Sequence, residues 1–264
     1  MGRIDAAFAR IRREGRGGLV AYVTAFDPDR ASSAAILAAL ERGGADVIEV
    51  GVPFSDPLAD GPVIQAAAAR ALAAGGTLAS TLDLIADVRR ALSVPIVLFT
   101  YVNPVLRMGV DLFVDRASAA GVDGVLLLDL PIEESAGMKA ALDRHGLDLI
   151  FLVSPTTTDR RIREAAAIGR GFLYAISRLG VTGTRRAVAA SAAPLAERLR
   201  AATSMPIALG FGVSRPEHVR EVCASADAAV VGSAIVQAIA EEAAAGRPPA
   251  ARVEHLVRWL KGKQ

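Results

Sequence analysis

The sequence predicts an α/β protein: a single closed (β/α)₈ barrel of the TIM-barrel type that spans residues 1–264. One such barrel needs about 250 residues, which suits the chain length of 264. Eight short apolar runs alternate with alanine-rich helical stretches, and five of the seven start-to-start spacings lie between 21 and 28 residues. That spacing accommodates one strand, one helix and two turns, the repeating unit of a parallel sheet.

The predicted strands are rich in Val, Ile, Leu and Ala and carry few charges. They cover Leu19–Thr24, Val47–Val50, Ile96–Thr100, Gly124–Leu128, Leu149–Val153, Phe172–Ala175, Ile207–Gly210 and Ala228–Val231. Several are apolar throughout, as strands covered on both faces should be. Because no linker or change of composition divides the eight units, a closed barrel is favoured over an open, doubly wound sheet.

Helical patterns outside the eightfold repeat predict extra helices at three places. Residues 2–14 form an extra N-terminal helix that could plug the floor of the barrel. The 49-residue interval after the second strand holds a proline-rich loop and then two helical stretches, residues 63–74 and 78–92. Residues 248–262 form an extra helix after the eighth strand.

Composition excludes several classes of protein. Cys223 is the one cysteine, which forbids an internal disulfide and, without a signal-peptide pattern, indicates a cytoplasmic protein. No apolar run is long enough to cross a bilayer, so no membrane is expected. Three scattered histidines with one cysteine give no metal-ligand cluster. The net charge of +2 and the dispersed arginine pairs lack the dense basic stripe of nucleic-acid-binding proteins.

Glu49 is the one charged residue of the predicted second strand, Val47–Val50. Strand alternation places it on the face of Val47, and one face of a barrel strand points inward. Desolvation there would raise the pKa of the carboxyl and make it a proton donor or acceptor near neutral pH. A structural carboxylate paired to a buried arginine or lysine is an equally good interpretation of strand position alone.

Two aspartates lie in the loop formed by residues 53–62, whose prolines exclude regular structure. Asp60 directly precedes Gly61-Pro62 and a helical stretch. It is therefore either a functional carboxylate at the barrel mouth or the helix N-cap that aspartate favours. Asp56 is open to the same two interpretations.

Glycines stand at the C-terminal ends of the last three predicted strands, in Gly180–Gly183, Gly210–Gly212 and Gly232–Ser233. Glycine lets backbone N–H groups approach an anion closely, and the helical stretch that Ser233 opens adds a favourable dipole. Barrels of this kind often bind phosphate at this place. A phosphorylated small molecule is the predicted class of substrate.

Aromatic and apolar residues at the same ends of the strands could wall a pocket with a few polar tips. They are Tyr22, Phe99, Tyr101, Leu128, Tyr174 and Phe211. Ordinary core packing is the alternative for each of them.

The segment 48–65, IEVGVPFSDPLADGPVIQ, closely resembles the signature of the tryptophan synthase α subunits. The resemblance continues in family order from about residue 19 to 240. The other matching segments are Asn103–Pro104, Ala120–Gly124, Asp129–Ser135, Pro155–Thr157, Ser177–Gly183, Gly210–Ser214 and Gly232–Val236. The chain departs from the family pattern at Phe26, Thr100 and Leu128, where glycine, methionine and a small residue or proline are usual.

The resemblance implies retro-aldol cleavage of indole-3-glycerol phosphate to indole and glyceraldehyde 3-phosphate, among the last steps of tryptophan biosynthesis. It implies that Glu49 and Asp60 are the catalytic carboxylates, that Tyr174 lies near the substrate, and that this chain needs no metal or organic cofactor. Backbone amides would hold the phosphate, namely those of Gly183, Gly212, Gly232 and Ser233.

The resemblance also implies a partner. Loops 53–62 and 178–190 would close over the site, with Asp56 and Thr182 meeting across it and Pro53 at the start of the first loop. The partner would be a β subunit that carries pyridoxal phosphate, takes up indole through a tunnel and condenses it with serine. The expected assembly is an αββα (α2β2) heterotetramer.

Three other functions remain open at this point. The chain could be a stand-alone indole-3-glycerol-phosphate lyase that releases free indole. It could be a non-catalytic barrel that only activates a partner, although Glu49 and Asp60 argue against that. It could be another phosphosugar barrel, such as a sugar-phosphate isomerase.

Overall fold

The structure is a computed structural model that describes residues 2–176, 185–210 and 212–262. Eight parallel strands pair in chain order and close into a barrel, because β8 also pairs with β1. The predicted (β/α)₈ barrel is therefore confirmed. The strands are β1 (Gly18–Thr24), β2 (Val47–Gly51), β3 (Ile96–Thr100), β4 (Gly124–Leu127), β5 (Asp148–Val153), β6 (Leu173–Ile176), β7 (Ile207–Gly210) and β8 (Ala228–Val231).

Every predicted strand is present, and no boundary differs from the prediction by more than one residue. The apolar runs predicted the strands well because almost every strand position is buried. Helices cover the outside of the barrel, and side chains from alternate positions fill the inside. The inner cluster includes Val20, Val47, Val97, Leu126 and Ile150.

Helices α1 to α12 surround the strands. They are α1 (Arg3–Arg13), α2 (Arg30–Gly43), α3 (Pro62–Ala73), α4 (Leu78–Arg89), α5 (Val102–Met108), α6 (Val110–Ala120), α7 (Ala136–Arg144), α8 (Asp159–Ile168), α9 (Arg185–Ala202), α10 (Pro216–Cys223), α11 (Ser233–Ala244) and α12 (Ala250–Leu260). The extra helices at the N-terminus and after β2 and β8 are confirmed. In the described ranges no single helix is long and apolar enough to span a membrane. Helices α3 and α4 reach that length and apolarity only when they are taken together, and the chain bends by 88° between them.

Sequence analysis did not predict α5, the short helix after β3. Pro104 normally indicates a turn, but here it is the third residue of the helix. The amides of a first helical turn have no acceptor inside the helix, so proline costs little there. The Asp129 side chain, from the loop after β4, accepts a hydrogen bond of 2.7 Å from the Val102 amide and so holds the start of α5.

Helix α1 closes the N-terminal end of the barrel, as predicted. Its buried stripe includes Ile4, Phe8 and Ile11, which follow helical spacing. These side chains join the inner cluster of the barrel, and the rings of Phe8 and Phe172 lie 5.4 Å apart. The floor is therefore packed, and the opposite end remains for binding.

Candidate active site

A cavity of about 590 Å³ opens at the C-terminal end of the barrel. This size is within the range of small-molecule sites. Four of the predicted wall residues line it, namely Tyr22, Phe99, Leu128 and Tyr174. The wall also includes apolar residues that sequence analysis did not name: Ile64, Leu152, Ile176, Val213 and Val230.

Three aromatic side chains form the inner wall of this cavity. The ring of Phe99 lies 5.2 Å from that of Tyr22 and 6.2 Å from that of Tyr174. Burial raises the pKa of both tyrosines, so their hydroxyls stay neutral. Gly51 makes room for this arrangement, because a Cβ there would lie 2.2 Å from the Tyr22 hydroxyl. The result is an apolar pocket with aromatic walls, which suits an aromatic ring.

Glu49 lies on the inward face of β2, level with Tyr22 on β1. It is fully buried, and neither carboxylate oxygen has a hydrogen-bond partner among the described residues. Desolvation raises its pKa to about 8, so at neutral pH the carboxyl holds a proton. The burial and the raised pKa agree with the expectation from strand position, and no arginine or lysine among the described residues pairs with this carboxyl. The side chain lies beneath the cavity wall rather than in it.

Asp60 lies in the cavity wall, in the loop between β2 and α3. The Tyr101 hydroxyl donates a hydrogen bond of 3.1 Å to Asp60 Oδ2 and accepts one of 3.0 Å from the Ala59 amide. Burial raises the pKa of Asp60, and the hydrogen bond from Tyr101 partly offsets the rise. The N-cap of α3 is Gly61, so the interpretation of Asp60 as the helix cap is wrong.

The rest of the loop divides into an anchored part and an exposed part. Pro53 is buried, and Phe54 packs on Tyr101 with ring centroids 5.0 Å apart. Asp56 and Leu58 are exposed, the latter by 84%. Tyr101 therefore lies beside the cavity and supports the loop, although sequence analysis predicted it as a wall residue. Its position after β3 does not show which residues its side chain contacts.

The opposite side of the cavity is built from glycines and a helix start. Gly210, Gly212, Gly232 and Ser233 all line it. Gly212 has a φ of 64°, which glycine adopts readily. No described side chain caps the N-terminus of α11, which begins at Ser233. Free amides and a helix dipole at this end suit an anionic group such as phosphate.

Other predicted residues cannot be placed. Thr182, Gly183 and Phe211 lie outside the described residues, as does most of the predicted lid, residues 178–190. Within the described parts of the chain, no three histidine, cysteine, aspartate or glutamate side chains come together as a metal site. Ile64 was missed because it belongs to α3, and no pattern along the chain predicts which helix leans over the barrel mouth.

Comparisons with known proteins agree with this geometry. A family model described as tryptophan synthase alpha chain matches residues 8–263. A tryptophan synthase alpha chain from Solibacter usitatus is 52% identical over 243 residues, which are 92% of this chain and 91% of that protein. One from Geobacter sulfurreducens is 52% identical over 237 residues, 90% of each chain.

Solved structures are also similar. The tryptophan synthase subunit alpha from Legionella pneumophila aligns with a TM-score of 0.92 and 34% identity, covering 99% of this chain and 98% of that one. A Mycobacterium tuberculosis tryptophan synthase chain aligns with a TM-score of 0.89 and 37% identity, over 98% and 96% of the two chains. Since the family model and these relatives cover nearly the whole sequence, the chain belongs to the tryptophan synthase alpha chain family.

Proposed function

We propose that this chain cleaves indole-3-glycerol phosphate to indole and glyceraldehyde 3-phosphate by a retro-aldol reaction. The observation that carries this function is Glu49, a buried carboxyl beneath an aromatic pocket that has a pKa of about 8 and no hydrogen-bond partner among the described residues. A buried carboxyl without a hydrogen-bond partner costs stability, and carboxyls with perturbed pKa values concentrate at functional sites. Membership of the family supports the same activity, that of a carbon–carbon lyase.

The chemistry needs two carboxyl groups. Glu49 gives a proton to C3 of the indole ring, which turns that carbon into a leaving group. Glu49, now a carboxylate, takes the proton of the adjacent glycerol hydroxyl, whose C–O bond becomes a carbonyl while the C–C bond breaks and its electron pair returns to the indole ring. Positive charge develops at the indole nitrogen before the bond breaks, and Asp60 stabilises it by accepting a hydrogen bond from the indole N–H. Each well-placed acid–base group contributes about 10²- to 10⁴-fold in rate.

The two sides of the cavity orient the substrate for this reaction. The indole ring would lie against Tyr22, Phe99 and Tyr174, with Leu128 at its edge. The phosphate would bind the amides of Gly212, Gly232 and Ser233, where the dipole of α11 favours negative charge. Residues 182, 183 and 211 would complete these contacts. Binding both ends fixes the scissile bond between Glu49 and Asp60.

The proposal also covers the partner subunit, the loops that close the site and the cellular compartment. The chain acts with a β subunit in an α2β2 assembly, and pyridoxal phosphate belongs to that partner. Loops 53–62 and 178–190 close the site, with Pro53, Asp56 and Thr182 at the closure. No metal or organic cofactor takes part in the cleavage on this chain, which we place in the cytoplasm as one domain of residues 1–264.

Glu49→Gln tests the proposal. Because glutamine keeps the shape but cannot donate an acidic proton, kcat should fall by about 10²- to 10⁴-fold. Affinity for indole-propanol phosphate, which cannot be cleaved, should stay within about threefold of the parent value because neither end of the cavity changes. Indole release measures the first quantity, and calorimetric titration measures the second. Undiminished cleavage in the variant would refute the assignment.

A further inference from the structure

Helix α3 determines where Asp60 lies, yet its fully buried side chains are small, and its larger apolar residues Val63 and Ile64 are only partly buried against the inner cluster. Asp60 precedes the first residue of the helix by two positions, and the buried residues of α3 are Ala67, Ala68 and Ala71. Alanine buries little apolar area and fits many packings. Such a contact specifies the rotation and axial position of a helix weakly. Gln65 of α3 donates a hydrogen bond of 2.8 Å to the Asp60 carbonyl oxygen, and a further contact is needed to fix the orientation of the helix itself.

An arginine–aspartate pair provides that contact. Arg70 of α3 donates from Nε to Asp27 Oδ1 at 2.8 Å and from Nη2 to Oδ2 at 2.9 Å. The Asp27 side chain is completely buried, and the Arg70 side chain is 35% exposed. Two parallel hydrogen bonds between planar groups fix an angle as well as a distance. The pair therefore holds α3 in one orientation against the loop after β1.

The loop after β1 is shaped to present Asp27. The preceding residue, Phe26, has a φ of 68°, in the left-handed region that costs non-glycine residues energy. Its side chain packs beside Gly76, where an added Cβ would lie 3.0 Å from Phe26 Cβ and 2.8 Å from Pro53 Cγ. Pro53, the first residue of the Asp60 loop, and Phe26, which precedes Asp27, therefore both lie against Gly76.

We propose that Arg70 and Asp27 are positioning residues for Asp60. They hold α3, and with it the end of the 53–62 loop, so that the Asp60 carboxylate lies in the cavity wall where an indole N–H would point. Neither side chain lines the cavity. The inference rests on the proposed role of Asp60, and it adds two residues that act on the reaction without touching the substrate.

Arg70→Met breaks the pair while retaining an unbranched side chain. The chain offers a matched control at the other end of the barrel: Arg16 makes the same two-pronged contact to Asp46, at 2.9 and 2.7 Å. Asp46 is likewise buried, and the Arg16 side chain is 31% exposed. Arg16→Met therefore removes a two-pronged arginine contact far from the cavity, and Asp46 keeps Lys261 Nζ at 2.7 Å as a second partner. Both proteins are assayed for indole release and for Tm.

Both variants should lower Tm, but only Arg70→Met should lower kcat, by about 10- to 100-fold, as expected for a small displacement of a catalytic group. KM should stay within about threefold, because the phosphate-binding end is unchanged. Arg70→Lys should recover much of the Tm but little of the kcat, since an ammonium cannot form the planar two-pronged contact.

The inference is overturned if Arg70→Met keeps kcat within about twofold of the parent, or if Arg16→Met lowers kcat equally. Full recovery of kcat by Arg70→Lys would also overturn it. Asp60→Asn, assayed in the same way, distinguishes a failure of the proposed role of Asp60 from a failure of the proposed positioning role of Arg70 and Asp27. If Asp60→Asn cleaves at the parent rate, the proposed role of Asp60 fails. If Asp60→Asn is impaired and Arg70→Met is not, only the positioning role fails.

Discussion

At the scale of single residues, Glu49 is a carboxylic acid at a buried position, where desolvation disfavours its charged form. Glu49 has no described partner for either oxygen, and desolvation alone raises its pKa to about 8. Asp60 differs because the Tyr101 hydroxyl donates to it, which partly offsets the rise in its pKa. Two carboxyl groups of nearly the same chemistry are thereby given different tasks: one retains a proton, and the other accepts a hydrogen bond.

The raised pKa of Glu49 predicts how stability depends on pH. The folded value is about 8 and the unfolded reference is 4.5. Between these limits the folded state keeps a proton that the unfolded state has lost, so the contribution of Glu49 to stability is full below pH 4.5 and is lost as pH rises toward 8. The free energy of unfolding should fall by about 1.4 kcal/mol per pH unit from this group.

Urea unfolding of the parent protein and of Glu49→Gln across this pH range measures the contribution, because glutamine does not titrate. The difference between the two free energies should change with pH between about 4.5 and 8 and be constant on either side of that range. Parallel curves for the two proteins would show that Glu49 titrates normally.

At the scale of elements, extra helices close one end of the barrel and shape the other. Helix α1 packs Phe8 against Phe172 at the floor, while α3 brings Ile64 to the mouth. The two helices are held differently. The buried stripe of α1 includes large side chains, whereas the fully buried residues of α3 are alanines and the Arg70–Asp27 pair adds a directional contact. We expect α1 to act on stability and α3 to act on catalysis.

Phe8→Ala tests the element-scale expectation for α1. Removing a ring that is 1% exposed should lower the free energy of unfolding by about 3–5 kcal/mol, because it leaves a cavity in the barrel floor. The exposed residue Arg13 on the same helix provides the control, since Arg13→Ala should change stability by less than about 0.5 kcal/mol. Equal effects of the two substitutions in denaturant unfolding would contradict the packing of α1.

At the scale of the whole molecule, the barrel separates stability from chemistry. The N-terminal end carries the α1 plug and the Asp46 pair with Arg16, and the C-terminal end carries the cavity. This division is general for barrels, because the loops that leave the C-terminal ends of strands can vary without disturbing the packed interior. Leu58, 84% exposed at the catalytic end, leaves part of the 53–62 loop uncovered in the single chain.

A β subunit should therefore accelerate cleavage. When a partner covers the loop, the Asp60 segment loses alternative conformations and the reactive arrangement becomes more populated. Indole release from indole-3-glycerol phosphate, measured with and without added β subunit, should be slow for the chain alone and faster in the mixture. A high rate alone that the partner leaves unchanged would instead indicate a stand-alone lyase.

The sequence by itself determined the barrel, its strand boundaries and the inward direction of Glu49. These follow from local information: apolar runs predict buried strands, and alternation predicts faces. The signature around residues 48–65 predicted the family, which the comparisons confirmed.

Only the tertiary structure decided what surrounds each group. It showed that Glu49 has no hydrogen-bond partner among the described residues, that Gly61 rather than Asp60 is the N-cap of α3, and that Tyr101 supports a loop. It also brought Arg70 to Asp27, 43 positions away along the chain. The burial and the pairing of a side chain depend on residues that are distant in sequence, so the spacing of residues along one sequence cannot predict them.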